Sequence, residues 1–406
     1  MGAMNSNRES QPWAGTIRPE LAILLCCASV RTDPAASDRF RGLLQKGLDW
    51  GSVVANANRH RLSAVLFDSI EYAAADLVSV EELRPLRENV HAAGVTSLVL
   101  VGELLRVYQL FDNAEISIIP YKGPILATLA CGNFARREYS DLDFALPQRL
   151  IPRANTLLQE AGCRPLFDPR EAHAGENNFA PGQYAFLSVK SDILIELHTE
   201  RTLRYYPAPF DFQDLTSRLI PVEIAGQTLR TFSVEDTLVI LCVHGAKHFW
   251  ERLSWILDIA RLIEARQVDW NLLATIAARM ESTRVLQLGL FLAHDLFGCS
   301  VPDSVLMAAR SDRHVRSLGA QVCEQFAAQS ETSLSLWSRS LFRVRSRDQF
   351  WQGLRHTLRL GMSPTESDRQ TLQLPRYLAP LYVIVRPWRL LREYGLGARR
   401  PPKNAP

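Results

Sequence analysis

The stretch Asp141-Leu142-Asp143-Phe144-Ala145-Leu146 alternates polar and apolar residues and stops at Pro147. That pattern predicts a strand with one face in a core and the other open. Side chains alternate along a strand, so Asp141 and Asp143 share one face while Leu142 and Phe144 share the other. Two carboxylates are thereby held side by side. Like charges at this spacing repel, and relief comes from protonating one or from binding a divalent cation. Mg²⁺ suits a site built from one or two carboxylates and substrate phosphates.

Working outward, Ile116-Ser117-Ile118-Ile119 reads as a short β-branched strand running into the turn Tyr121-Lys122-Gly123-Pro124, and a helix of about nine residues follows. Arg136 and Arg137 then precede the acidic strand, and a further helix is expected over 149–161. Residues 168–182 are rich in Pro, Gly, Asn and charge and read as an exposed loop of the kind that covers a site. Strands are expected over 184–189 and 192–198, and a small hairpin over 221–232. In 192–198, Ile193, Ile195 and Leu197 point inward, and Asp192, Leu194, Glu196 and His198 point the other way. If this strand neighbours the first, Glu196 completes a three-carboxylate cluster, with His198 on the same face. Asp192 is an alternative third acid, at a strand start where turn residues are expected.

Residues 18–113 and nearly everything from Ser233 to Gly397 show helical spacing of apolar residues. Ser233-Val234-Glu235-Asp236 marks a helix start. The expected class is therefore α+β, predominantly helical: helices, a small mixed sheet, then helices. A helix spanning 238–262 carries His244, Lys247, His248, Glu251, Trp255 and Asp258 on one polar stripe. The stripe is either a solvated face or a cleft wall. His244 and His248 have a zinc-like spacing, but neither the HExxH glutamate nor a Cys pair accompanies them.

The chain has 406 residues, 47% hydrophobic and 22% charged, with 46 Lys plus Arg against 43 Asp plus Glu. This composition excludes a largely disordered chain and a polytopic membrane protein. A net charge of +3 requires no nucleic-acid partner. Seven cysteines without CxxC spacing predict a reduced, cytoplasmic protein. The apolar stretch 377–385 is about half of the roughly 20 residues a spanning helix needs, so no transmembrane segment is expected.

The ordered set of Lys122-Gly123 turn, Arg136-Arg137, Asp141/Asp143 strand, Glu196 strand and the helix after the sheet resembles the nucleotidyltransferase superfamily of DNA polymerase β type. Within it, 121–146, 193–198 and 238–262 are similar to the bacterial family of uncharacterised nucleotidyltransferases. The resemblance implies a nucleotidyltransferase core over 114–232, between an N-terminal helical region (17–113) and a C-terminal helical domain (233–398). A disordered, tag-like segment (1–16) and a basic tail (399–406) flank them. It implies that Asp141, Asp143 and Glu196 hold two Mg²⁺ (or Mn²⁺) ions and carry catalysis, Glu196 binding the second ion or serving as base. Lys122, Gly123, Arg136, Arg137, His198 and Lys247 are the implied nucleotide or phosphate contacts. His244, His248, Trp255 and Asp258 are candidate acceptor or nucleotide contacts. Relatives usually carry Gly-Ser or Gly-Gly where this chain has Lys122-Gly123-Pro124.

The implied activity is transfer of a nucleoside monophosphate from an NTP, with ATP favoured, to a hydroxyl on a small molecule, peptide or protein in a biosynthetic setting, releasing pyrophosphate. The rivals are an inactive nucleotide- or partner-binding member of the same fold and a toxin-like enzyme that modifies tRNA.

Overall fold

The computed structural model describes residues 17–167, 169, 182–199, 212–328, 336–362, 371, 372, 374, 378 and 381–394. Segment 1–16, nearly all of the loop 168–182 and the tail 399–406 lie outside the described residues. The chain divides into two compact units, Met1–Ser330 and Glu331–Pro406. The helices that follow residue 233 up to residue 328 share a unit with the sheet.

The first unit opens with five helices, α1 (Pro19–Cys27), α2 (Pro34–Leu44), α3 (Trp50–His60), α4 (Ser63–Ala73) and α5 (Val80–Asn113). Their starts are set locally. Asp33 and Asp49 accept from the first-turn amides of α2 and α3, and Ser79 with Glu82 forms a reciprocal capping box on α5. By length and composition α5 is long and apolar enough to cross a bilayer, a feature the sequence reading passed over. Here Leu86, Leu100, Leu104, Val107 and Phe111 bury one side of it, and it packs on α4, on the sheet and on later helices.

The sheet has the order β1-β2-β5-β4-β3, from β1 (Ile119–Tyr121), β2 (Asp141–Ala145), β3 (Cys163–Pro165), β4 (Gln183–Ser188) and β5 (Ile193–His198). β2 and β5 run parallel, and the other pairs are antiparallel. It is a small mixed sheet in a mostly helical unit, as expected. β1 lies three residues later than the β-branched run predicts, because Ile119, Pro120 and Tyr121 are the residues that register with Ala145, Phe144 and Asp143. Pro120 is tolerated because β1 is an edge strand, where a missing amide breaks no inner ladder. Strand β3 had no sequence signal.

α6 (Gly123–Cys131) follows β1, α7 (Ile151–Glu160) follows β2, and α8 (Phe212–Ser217) leads into the hairpin β6 (Ile220–Ile224) and β7 (Gln227–Thr231). Then come α9 (Val234–Lys247), α10 (Leu253–Ala265), α11 (Trp270–Arg279), α12 (Thr283–Phe297), α13 (Asp303–Ser311) and α14 (Arg313–Ala328). Ser233 caps α9 by accepting from the Asp236 amide at 3.1 Å.

The expected single helix over 238–262 is in fact two. Phe249 and Trp250 sit at φ 55° and 54°, and the Trp250 amide donates back to the Gly245 carbonyl at 2.8 Å, which ends α9 and reverses the chain. Trp250 is fully buried, and a Cβ on Gly245 would collide with its ring, so this turn needs glycine there.

The second unit contains α15 (Leu336–Arg345), α16 (Phe350–Met362) and α17 (Tyr382–Tyr394), packed in sequence order around buried Phe342 and Tyr382.

Candidate active site

The site begins with the parallel pairing of β2 and β5. Its register sets Asp141 opposite Leu194, Asp143 opposite Glu196 and Ala145 opposite His198, while Tyr121 on β1 flanks Asp143 from the other side. Strand alternation then aims Asp141, Asp143, Glu196 and His198 from one face. Asp143 is buried, and Asp141 and Glu196 are half-buried.

Asp143 is the centre. Its Oδ1 accepts from His198 Nε2 at 2.7 Å and from Lys122 Nζ at 3.2 Å, and His198 Nε2 also lies 3.4 Å from Glu196 Oε2. An ionised carboxylate only accepts, so Nε2 carries the proton, and among the described residues the buried Nδ1 has no partner. The potential ligand atoms of Asp143, Glu196 and His198 lie within 4.8 Å of one another. Asp141 adjoins this group on β2 without belonging to it. His198, expected either to hydrogen-bond a carboxylate or to touch phosphate, is set by the fold between two carboxylates.

The charges differ across the cluster. Burial opposes ionisation of Asp143, yet Lys122 and the His198 hydrogen bond prevail and hold its carboxyl below the usual range. Glu196 is lowered too, burial again being overcome by the His198 bond. Asp141 goes the other way, raised by burial and by the Asp143 charge. The Tyr121 phenol is pushed well up by burial and then Asp143.

Lys122 caps α6 in an unusual backbone conformation, φ 54° and ψ −153°, a region that costs a non-glycine residue of order 1–3 kcal/mol. The conformation brings its amine to Asp143. Gly123, at φ 40°, is needed because a Cβ there would come within 3.2 Å of the Asp141 carbonyl. The glycine lets the first turn of α6 sit against the start of β2, where helix amides favour an anion.

α9 supplies the facing wall. Ile240 packs with Ile119, Tyr121, Ala145, Leu215 and Phe232, which fixes α9 over the far end of the same sheet face. One and two turns later come His244, then Lys247 and His248. Burial and then the Lys122 charge lower His244 well below its ordinary value, with Asp143 acting against them. Lys247 is lowered by burial and Lys122, against Glu196 and Asp143. Burial and Lys247 take His248 down to about 4. Although the helix breaks, Trp255 on α10 returns to this wall: the His244, His248 and Trp255 rings lie 4.7, 5.2 and 5.2 Å apart by pairs.

The two arginines before β2 separate. Arg136 is exposed at the end of a 3₁₀ turn. Arg137 is half-buried and gives two hydrogen bonds, of 2.8 and 2.9 Å, to Asp258 on α10. Asp258 therefore orients a protein cation, and Arg137 fastens the approach to β2 instead of entering the cleft. Arg61 and Arg252, which the sequence reading did not single out, also stand at the Asp141 end; nothing in local sequence distinguishes them from other surface arginines.

Known proteins bear on this arrangement. A family described as uncharacterised nucleotidyltransferase matches residues 46–298, and the chain belongs to it. The match takes in the helices before the sheet from residue 46 and those after it to residue 298, and membership supports nucleotidyl transfer as the general activity. Among solved structures, an antigenic nucleotidyltransferase-like protein from Paracoccidioides brasiliensis is similar at 16% identity with a TM-score of 0.29, over 54% of this chain and 96% of that one. No curated protein sequence matches the chain.

Proposed function

We propose that the chain moves a nucleoside monophosphate from an NTP, with ATP favoured, to a hydroxyl of a small molecule, peptide or protein, and releases pyrophosphate. The observation that carries this reading is the register of Asp143 with Glu196 on adjacent parallel strands, with Asp141 on the same face and the Gly123 end of α6 beside it. Oxygen-rich donor sets of this kind fit Mg²⁺ or Mn²⁺, and the close approach of Asp143, Glu196 and His198 is compatible with an ion there. Asp141, Asp143 and Glu196 are the residues that would hold one or two ions. When bound, a divalent ion neutralises the triphosphate and lowers the pKa of the acceptor hydroxyl.

The protein's own groups do the rest. The first amides of α6 and the Lys122 amine receive phosphate oxygens, and Lys247 adds charge from α9. The acceptor oxygen bonds to the α-phosphorus, the bond from that phosphorus to the bridging oxygen breaks, and pyrophosphate leaves. The hydroxyl proton goes to the cluster, with Glu196 as base. Positioning and charge neutralisation suffice for such chemistry.

One observation favours a second reading. Lys122 already neutralises Asp143 at 3.2 Å, as expected of a member that binds nucleotide without turning it over. Incubation with ATP, CTP, GTP or UTP, Mg²⁺ or Mn²⁺ and candidate acceptors, tRNA among them, separates the two by pyrophosphate release. Asp143→Asn should lower transfer by on the order of 10⁴ with the fold retained. Nucleotide binding without release under any acceptor would establish the binder, and transfer to tRNA alone would establish the toxin-like enzyme.

A further inference from the structure

Beside the acids lies a charged seam that the transfer chemistry above leaves unused. α3 ends at buried His60, and Arg61 follows in the left-handed region at φ 55°. The Leu253 amide, at the start of α10, donates to His60 Nδ1 at 3.4 Å. This bond ties the end of α3 to the start of α10, so the residues next to it, Arg61 and Arg252, are brought together across the seam. Burial and then the Arg252 charge lower the pKa of Arg61, with Asp141 opposing them.

The carboxylates nearby are otherwise engaged. Asp258 is taken by Arg137, and Glu138 accepts from the Ser63 amide at 3.0 Å at the head of α4. Arg61 donates to a neutral partner, Ser140 Oγ, at 3.3 Å, and Arg252 stacks on Trp255 with its guanidinium 5.4 Å from the ring centroid. Among the described residues neither arginine forms an ion pair. A groove beside Arg61 is lined also by Arg136, Arg261, Glu138 and the mutually neutralised Arg137 and Asp258. Two half-buried guanidiniums held together with no carboxylate bonded to either repel, Asp141 and Glu138 offsetting this only at a distance for Arg61, and an oxyanion that accepts from both relieves the repulsion.

We propose that Arg61 and Arg252 form an oxyanion subsite at the Asp141 end of the cleft, which takes a phosphate or carboxylate group of a substrate. This rests on the transferase reading of the neighbouring acids. The group comes either from the terminal phosphates of the nucleotide or from an anionic acceptor, and the chemistry of capture is the same: paired donors on a planar fork for each arginine.

The test is calorimetric titration of the full chain in metal-free buffer with pyrophosphate and, separately, with inorganic phosphate. Wild type should bind at least one of them, and Arg61→Gln or Arg252→Gln should each weaken that binding about tenfold, with Arg61→Lys recovering part of it. Should Arg61→Gln melt early, Arg252→Gln gives the same reading. ATP that displaces pyrophosphate assigns the subsite to the nucleotide; inorganic phosphate that binds alongside ATP assigns it to the acceptor. No anion bound by wild type, or wild-type affinity retained in both glutamine variants, overturns the subsite. The readout needs no turnover, so the subsite and the transfer activity fail separately.

Discussion

Two buried ion pairs lie on either side of the start of β2, and they are built for different ends. Arg137 and Asp258 meet fork to fork at 2.8 and 2.9 Å, with both side chains almost fully enclosed. Burial alone would lower Arg137, but Asp258 overrides it and its pKa is raised. Lys122 meets Asp143 through a single contact at 3.2 Å, shares that oxygen with His198, and reaches it from a strained backbone. The first pair is complete in itself. The second leaves carboxylate oxygens with further accepting capacity and is surrounded by Asp141, Glu196 and Lys247, whose ionisation it perturbs. The closed pair holds the cleft together, and the open one is available to exchange its cation.

Breaking the closed pair should have the largest effect. Asp258→Ala strands Arg137 in the interior, and urea unfolding should show a loss of about 3–5 kcal/mol that added Mg²⁺ or Mn²⁺ does not restore. Acid should leave the Lys122–Asp143 pair intact over a range where other groups fail, because the Asp143 carboxyl is held below the usual range. His60, lowered to about 4 by burial and then by Arg59 and Arg252, binds a proton in the unfolded chain before it does so in the folded one. Unfolded chains therefore hold more protons between roughly pH 6.5 and 4, and stability falls as pH drops through that window, by up to about 3 kcal/mol for this residue. His60→Asn, which keeps an acceptor for the Leu253 amide, should reduce the fall of the melting temperature over the same range, His244 and His248 contributing the rest. A profile unchanged by His60→Asn would assign the acid sensitivity to those two histidines on the facing wall instead. The smallest effect belongs to the open pair. Lys122→Met should cost about 2 kcal/mol or less, and Mn²⁺ should recover it, since an ion at a hundred times its Kd adds about 2.7 kcal/mol. If Mn²⁺ stabilises wild type as much as the variant, Lys122 and the ion do not compete and the contrast between the pairs collapses.

Local patterning made a large part of this legible. Period-two alternation placed Asp141 with Asp143, and Glu196 with His198, because burial of one strand face enforces it. The helical spacing before residue 113 and after residue 233, and the cap at Ser233, were likewise local. What stayed hidden depends on neighbours distant in the chain. Nothing in 141–146 or 192–198 specifies that the two strands pair in parallel with Asp143 opposite Glu196. The turn at Phe249 and Trp250 carries no turn residue of its own; its cause is the space left by Gly245 and Gly289 for the indole. Arg61 and Arg252 become neighbours through the His60 bond to the Leu253 amide, and Asp258 found its partner 121 residues away.

The parallel pairing of β2 with β5 also sets an order of events. No hairpin can join parallel strands, so these two meet only after the long stretch between them has closed, a non-local step that topology makes slow. Until then Asp143 and Glu196 are separate, solvated acids with ordinary surroundings. Their mutual repulsion arises only when β5 is laid beside β2. The cluster is thus a product of non-local pairing, and no local segment of the chain has to hold these charges together on its own.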